Sequence, residues 1–313
     1  MAGEDPSDPA PTGVHVRRSY IGRFAPSPTG SLHLGSLVAA VGSFVDARSH
    51  GGRWLLRMED LDRTRVVPGC SDEILRTLDA FGLRWDGHVE YQSRRVALYV
   101  SALQTLQAAG ATFECSYSRR ELANTVDTGY PGTCRQGPTR RGPTATRFRV
   151  ETSAVVSFHD AIQGTCRFDL KSLGDVVIRR RDGVFAYQLA VVVDDAEQSV
   201  SDIIRGADLL ESTAWQIALQ RSLQLPLPRY GHLPLVVEPT RGKLAKTRRS
   251  LAIDPARASA QLVLALRLLQ HRPPAELEHE TPCAVLEWAC ANWNLDSFHG
   301  VREVSLPTAM LRV

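Results

Sequence analysis

The chain has 313 residues, a formal net charge of +3, 43% hydrophobic and 23% charged residues, the balance of a globular protein of one large or two medium domains. No apolar run approaches the roughly 18–20 residues of a membrane helix, the N-terminus has no secretory signal, and six cysteines are too sparse for a disulfide scaffold. A cytoplasmic, reduced protein is therefore expected, and the mild positive charge permits RNA binding without demanding it.

Residues 1–18 are acidic then basic and rich in Pro and small residues, which predicts a disordered tail. A strand at Tyr20–Phe24 precedes a helix over Leu37–Arg48, with Leu37, Val38, Val41, Phe44 and Val45 on its apolar face. A second strand over Trp54–Glu59 leads to Asp60-Leu61-Asp62-Arg63-Thr64, and Asp72–Phe81 and Arg94–Ala109 read as amphipathic helices. This alternation predicts an α/β fold with a parallel sheet. From Gly110 to Asp182 the rhythm breaks, as an insertion would. Its arginines Arg135, Arg140, Arg141, Arg147 and Arg149 have no acid between them, which suits either a solvated loop or a phosphate-binding face for RNA. Residues 183–225 return to the sheet: an apolar run Val184–Val193 ending in Asp194 and Asp195, a strand and turn over Ile203–Leu210, and a helix over Glu211–Ser222. Beyond Ser250 the best helices are Gln261–His271 and Ala284–Trp293.

The most informative segment is Arg23-Phe24-Ala25-Pro26-Ser27-Pro28-Thr29-Gly30-Ser31-Leu32-His33-Leu34-Gly35-Ser36. A strand, a small-residue loop and a helix start make a phosphate cradle, because the helix N-terminus offers unpaired N–H groups and partial positive charge. A second landmark is Gly242-Lys243-Leu244-Ala245-Lys246-Thr247. The chain has three lysines, Lys171, Lys243 and Lys246, against 34 arginines, so two lysines three residues apart stand out. A mobile ammonium can follow shifting phosphate charge where a flat guanidinium cannot.

The first segment resembles the His-Ile-Gly-His signature of the class I aminoacyl-tRNA synthetases, and its wording resembles the glutamyl branch. The lysine segment is similar to their Lys-Met-Ser-Lys-Ser signature, departing from it at Ala245 and Thr247. The resemblance covers about residues 19–250 and implies a Rossmann-like, doubly wound parallel sheet. It implies a catalytic domain from 19–109 and 183–250, an inserted acceptor or zinc-type subdomain at 110–182, and a short helical C-terminal region at 251–313 without an anticodon-binding domain. It implies ATP with magnesium, with His33, Lys243 and Lys246 catalytic and His33, Gly35, Ser36 and Lys246 at the nucleotide. It implies L-glutamate held by Arg23, Phe24, Ala25, Pro26, Ser27, Glu59, Tyr187 and Arg205, the guanidiniums on carboxylates and Glu59 on the ammonium. Relatives hold one structural zinc at the positions of Cys115, Tyr117, Tyr130 and Cys134, with Tyr117 standing where they have a second Cys; the alternative is two ordinary thiols. The short form resembles the branch that activates glutamate without tRNA and transfers it to queuosine in the anticodon of tRNA(Asp). A monomer is expected. The alternatives are a truncated enzyme charging an ordinary acceptor end and a non-catalytic RNA-binding paralogue.

Overall fold

A computed structural model describes residues 19–117, 121, 130–151, 154–237 and 253–306. The expected tail at 1–18 and the lysine segment at 242–247, with Lys243 and Lys246, lie outside the described residues.

The chain begins with β1 (Ile21–Phe24), α1 (Leu34–Ser49), β2 (Arg53–Met58), α2 (Cys70–Ala80), β3 (Glu90–Tyr91) and α3 (Val96–Ala108). β4 (Thr112–Cys115), β5 (Ala145–Phe148), β6 (Val155–Asp160), β7 (Gly164–Asp169), α4 (Leu170–Leu173) and β8 (Val176–Arg179) follow. Then come α5 (Tyr187–Glu197), β9 (Asp202–Gly206), α6 (Ser212–Ser222), β10 (Arg229–Leu233) and β11 (Leu235–Val237). After the lysine segment stand α7 (Ala258–Leu268), α8 (Pro282–Ala291) and β12 (Glu303–Ser305).

Two parallel sets of strands form the central sheet: β3, β2 and β1 on one side, and β9, β10 and β6 on the other, with β7 antiparallel at the far end. They meet where Ser201 N–H donates to the Ile21 carbonyl (3.0 Å) and Ile21 N–H donates to Ser201 Oγ (2.8 Å). Alternate strand residues face opposite layers. Trp54, Leu56 and Met58 pack among residues of α1, α2, α7 and α8, whereas Leu55 and Ile203 pack with α3, α5 and α6. The result is the Rossmann-like, doubly wound α/β architecture expected. Strand order turns at β1, and a crevice at the carboxyl ends of the strands on either side of such a turn is where open α/β sheets bind ligands.

Local chemistry sets the helix boundaries. α1 starts at Leu34, three residues before the apolar periodicity begins, because the His33 side chain caps it by accepting from Ser36 N–H (3.2 Å). α1 also lies very close to β10: a Cβ on Gly42 would sit 2.6 Å from Leu233 Cδ1, so no larger residue fits there without repacking. The C-terminal helices likewise begin earlier than expected. Pro282 opens α8 behind the Thr281 cap, a position where its missing N–H costs nothing.

The apolar run Val184–Val193 is not a returning strand. From Tyr187 it is helix α5, buried continuously from Leu189 to Asp195. A helix enclosed on all sides shows the same unbroken apolar run as a buried strand, so periodicity cannot separate them.

Within residues 110–182, β4, β5 and β8 form a separate antiparallel sheet, whereas β6 joins the central sheet beside β10. The arginines of this region are mostly internal braces. Arg135 grips Asp175 (2.7 and 2.6 Å), buried Arg147 donates to the Asp175 carbonyl (2.6 Å), and Arg149 donates to the Arg135 carbonyl (2.9 Å). Arg140 pairs with Glu121 at 2.6 Å, and Arg141 is exposed. A continuous phosphate-binding face of five arginines is therefore not what this region forms.

The C-terminal region packs on α1. The Trp293 indole N–H donates to the buried Asp46 (2.9 Å), and β12 pairs in parallel with β11. Among the described residues no helix is long and apolar enough to cross a membrane.

Candidate active site

A cavity of about 390 Å³ opens at the carboxyl ends of β1, β2 and β9. Its lining includes Arg23, Phe24, Ala25, Ser27, Glu59, Tyr187 and Arg205. Seven of the eight expected glutamate-site residues, from four separate segments, thus converge on one space. Pro26 lies just behind the lining, where its carbonyl accepts the Glu59 N–H (2.9 Å) and fixes the end of β2 against the β1 loop. His33, Gly35 and Ser36 sit at the first turn of α1, outside this lining. Gly35 lies close beneath the His33 ring, where a Cβ would meet it at 3.1 Å.

Beneath the cavity lies a buried charge network. Arg23 faces Asp195 as a fork (3.2 and 3.5 Å), and Arg57 reaches Asp195 at 2.8 Å. Asp194 accepts from Gln92 (2.8 Å), Arg95 (2.6 Å) and Tyr99 (2.8 Å). Asp195 stays below the usual carboxylate range: burial pushes it up, but Arg23 and Arg57 outweigh that. Glu59 goes the other way. Burial pushes its carboxyl up to about 7, against the pull of Arg57 and Arg23 and with help from Asp195 and Asp194. A ligand ammonium beside Glu59 would favour its ionised form.

Arg205 has a different environment. It is 5% exposed, and its donors reach His232 Nε2 (3.1 Å), Tyr187 Oη (3.3 Å), Thr213 Oγ1 (2.7 Å) and Gln216 Oε1 (2.7 Å). All four partners are formally uncharged, and among the described residues no carboxylate pairs with it. A buried guanidinium without a counter-ion, at the wall of a cavity, favours an anionic ligand.

Sequence reasoning missed several members of this site. Arg57 carried a visible signal as an ionisable residue inside an apolar run, and Asp195 as an acid closing one. Arg65 also lines the cavity, with its Nε on Asp62 (2.9 Å). Thr213, Gln216 and His232 carried no signal, because their roles follow from strand register and helix packing.

The family model for class I tRNA synthetases (E and Q), catalytic domain, matches residues 20–268. Relatives named glutamyl-Q tRNA(Asp) synthetase include one from Ectopseudomonas mendocina, 48% identical over 95% of this chain and 100% of its own length. Another, from Dechloromonas aromatica, is 50% identical over 92% of this chain and 98% of its own. The chain belongs to the class I aminoacyl-tRNA synthetase family, in the glutamyl-Q tRNA(Asp) synthetase branch. As a class I synthetase it is a ligase. Two crystal structures of glutamate–tRNA synthetases share the fold of this synthetase. The one from Elizabethkingia anophelis has a TM-score of 0.78 at 23% identity, covering 94% of this chain and 69% of that one. The one from Elizabethkingia meningosepticum, in complex with its amino acid, has a TM-score of 0.77 at 22% identity, with coverages of 94% and 68%.

Synthetases of this family use ATP with magnesium. Among the described residues no group of three His, Cys, Asp or Glu side chains could hold a metal. The zinc expectation is corrected by the same region of this synthetase. Cys115, Tyr130 and Cys134 do cluster, with Tyr117 beside them. The Tyr130 hydroxyl, its pKa raised by burial and by its bonds to the two thiols, accepts the Cys134 N–H (2.7 Å), and hydrogen bonds from Tyr130 and the backbone bring the Cys134 thiol down to about 6 against the push of burial. Guanidiniums cover both phenol rings, Arg147 at 4.0 Å from the Tyr130 centroid and Arg140 at 4.7 Å from that of Tyr117. With two sulfurs and no imidazole, the cluster falls short of the four thiolate or imidazole donors of a structural zinc set.

Proposed function

We propose that the enzyme activates L-glutamate with ATP, without tRNA, and then transfers the glutamyl group to the queuosine base in the anticodon of tRNA(Asp). In the first step an α-carboxylate oxygen attacks the α-phosphorus of ATP, glutamyl-adenylate forms and pyrophosphate leaves. In the second, a hydroxyl of the queuosine cyclopentenediol attacks the activated carbonyl and AMP leaves. No covalent enzyme intermediate is needed, so the work is alignment and charge stabilisation.

The observation that carries the glutamate reading is the buried Arg205 with only uncharged partners, on the same cavity wall as Tyr187 and Glu59. Arg205 takes the side-chain carboxylate, because Arg23 already has Asp195 as counter-ion. Glu59 takes the ammonium, and Arg23 with the Ala25–Ser27 loop orients the α-carboxylate towards the nucleotide. Glutamine would leave the buried Arg205 without an anion, at a cost of several kcal/mol. The first turn of α1, with His33, Gly35 and Ser36, cradles ATP, and Lys246 assisted by Lys243 meets the β- and γ-phosphates. Support for the acceptor comes from the names of the relatives and the near-complete mutual coverage with them. The reading carries with it a monomeric cytoplasmic enzyme.

Glutamate-dependent exchange of pyrophosphate into ATP in the absence of tRNA tests the first step, and its absence would exclude it. Mass analysis of tRNA(Asp) nucleosides after reaction tests the second. Glutamyl-queuosine is the expected product, and glutamate found only on the terminal adenosine would refute the transfer.

A further inference from the structure

Arg205 on β9 and His232 on β10 are register partners, so their side chains project side by side from adjacent strands. His232 is fully buried, and so is Asp160 at the end of β6. Asp160 Oδ2 lies 2.5 Å from His232 Nδ1. Its other oxygen accepts three backbone N–H groups, from Ile162 (3.0 Å), Gln163 (2.8 Å) and His232 itself (3.0 Å). That carboxylate is locked in place. Burial pushes its pKa up, but the hydrogen bonds from His232 and the backbone hold it below the usual range.

The Thr213 hydroxyl, also 3.1 Å from His232 Nε2, can donate or accept, so the tautomer of His232 follows from its other two neighbours. An Arg Nε can only donate, so His232 Nε2, 3.1 Å from Arg205 Nε, must offer a lone pair. The proton then sits on Nδ1 and points at Asp160. Burial disfavours the doubly protonated ring against the hydrogen bond to Asp160, and the charge of Arg205 disfavours it further. The imidazole thus ties the specificity arginine to a carboxylate without neutralising it. A carboxylate placed directly on Arg205 would satisfy the guanidinium and compete with a ligand anion. A neutral imidazole orients it and leaves its charge for the substrate.

We infer that Asp160 and His232 are positioning residues that aim Arg205 at the side-chain carboxylate of the amino acid and so set selectivity for an acidic over an amide side chain. The inference rests on the role of Arg205 proposed above. It goes further in assigning selectivity to a residue of β6, remote in sequence from both signature segments.

Asp160→Asn separates this from a purely structural role. The Asn oxygen can keep the three backbone bonds, but its amide NH₂ now faces Nδ1. His232 must move its proton to Nε2, where it opposes the Arg205 Nε–H. Long-range ¹H–¹⁵N correlation spectra of the ¹⁵N-labelled full chain, assigned with His232→Gln, read the tautomer directly. The wild type should show Nδ1–H, and Asp160→Asn should show Nε2–H. In pyrophosphate exchange, Asp160→Asn should raise the KM for glutamate about 10- to 100-fold, the range for a lost hydrogen bond to a charged group. The KM for ATP should stay unchanged, and the preference for glutamate over glutamine should fall. His232→Gln, which keeps an acceptor near the place of Nε2, should recover about tenfold of the glutamate kcat/KM lost in His232→Leu.

An Nε2–H tautomer in the wild type overturns the inference. So does an Asp160→Asn variant whose tautomer is unswapped, or one with a swapped tautomer and an unaltered KM for glutamate. Arg205→Gln serves as the control. If it leaves the KM for glutamate unchanged, the proposed role of Arg205 fails; if it raises that KM while Asp160→Asn does not, only the present inference fails.

Discussion

Glu59→Gln should stabilise the fold at alkaline pH while weakening the enzyme. The Glu59 carboxyl, 11% exposed, rises from an ordinary value of 4.5 to about 7 in the folded chain. Because the folded value lies above the unfolded one, the folded state binds the extra proton between those limits. The associated stability is complete below about 4.5 and is lost as pH rises through about 7. At about 1.4 kcal/mol per pH unit, that gap amounts to about 3 kcal/mol. Gln cannot ionise, so the stability of Glu59→Gln minus that of the wild type should grow by about 3 kcal/mol from pH 4 to pH 8. Urea unfolding of both proteins across this range measures it. In pyrophosphate exchange the same variant should show a raised KM for glutamate at pH 8, because the ammonium has lost its anion. A stability difference that stays flat with pH would refute the burial argument. An unchanged KM would refute the assignment of Glu59 to the ammonium.

Asp195→Asn removes the carboxylate shared by Arg23 and Arg57; breaking a buried pair of this kind costs about 3–5 kcal/mol, which a urea midpoint would register, and the KM for glutamate should rise as Arg23 loosens. Lys246→Ala should lower the rate of adenylate formation roughly 10²–10³-fold in single-turnover assays, by analogy with losing one donor to a developing oxyanion. Tyr117→Cys adds a third thiol beside Cys115 and Cys134, so the variant should retain more zinc per chain than the wild type by metal analysis and lose thermal stability on chelation. The wild type, with its two thiols and covered phenols, should keep its melting temperature in the presence of a chelator.

The convergence of the expected residues on one cavity was legible because they belong to short segments where backbone and chemistry coincide. Arg23 and Phe24 end β1 and Ala25 to Ser27 follow it directly, Glu59 comes just after β2, Arg205 lies near the end of β9, and the convergence of three strand ends follows from a parallel sheet. Tyr187 was found by resemblance rather than periodicity, since the run around it reads equally well as strand. What stayed hidden depends on distances in space. The Arg-rich stretch looked like a surface because its counter-charge, Asp175, lies 40 residues from Arg135 along the chain. His232 is a lone histidine until the register of β9 and β10 sets it beside Arg205. The two cysteines and two tyrosines do cluster as the resemblance suggested, but only the geometry showed the Tyr130 hydroxyl bonded to the thiols and guanidiniums over both rings.

The pairing of β12 with β11 has a mechanical consequence. The chain leaves β11 at Val237, and Ile253 rejoins the hydrophobic layer against α1. Val237, the last described residue before the lysine-bearing stretch, is thus held in register with Ser305 of β12. Under the roles proposed for Lys243 and Lys246, β12 steadies the strand that leads towards the residues meeting the triphosphate. A change there can slacken nucleotide chemistry while every glutamate-gripping side chain keeps its place.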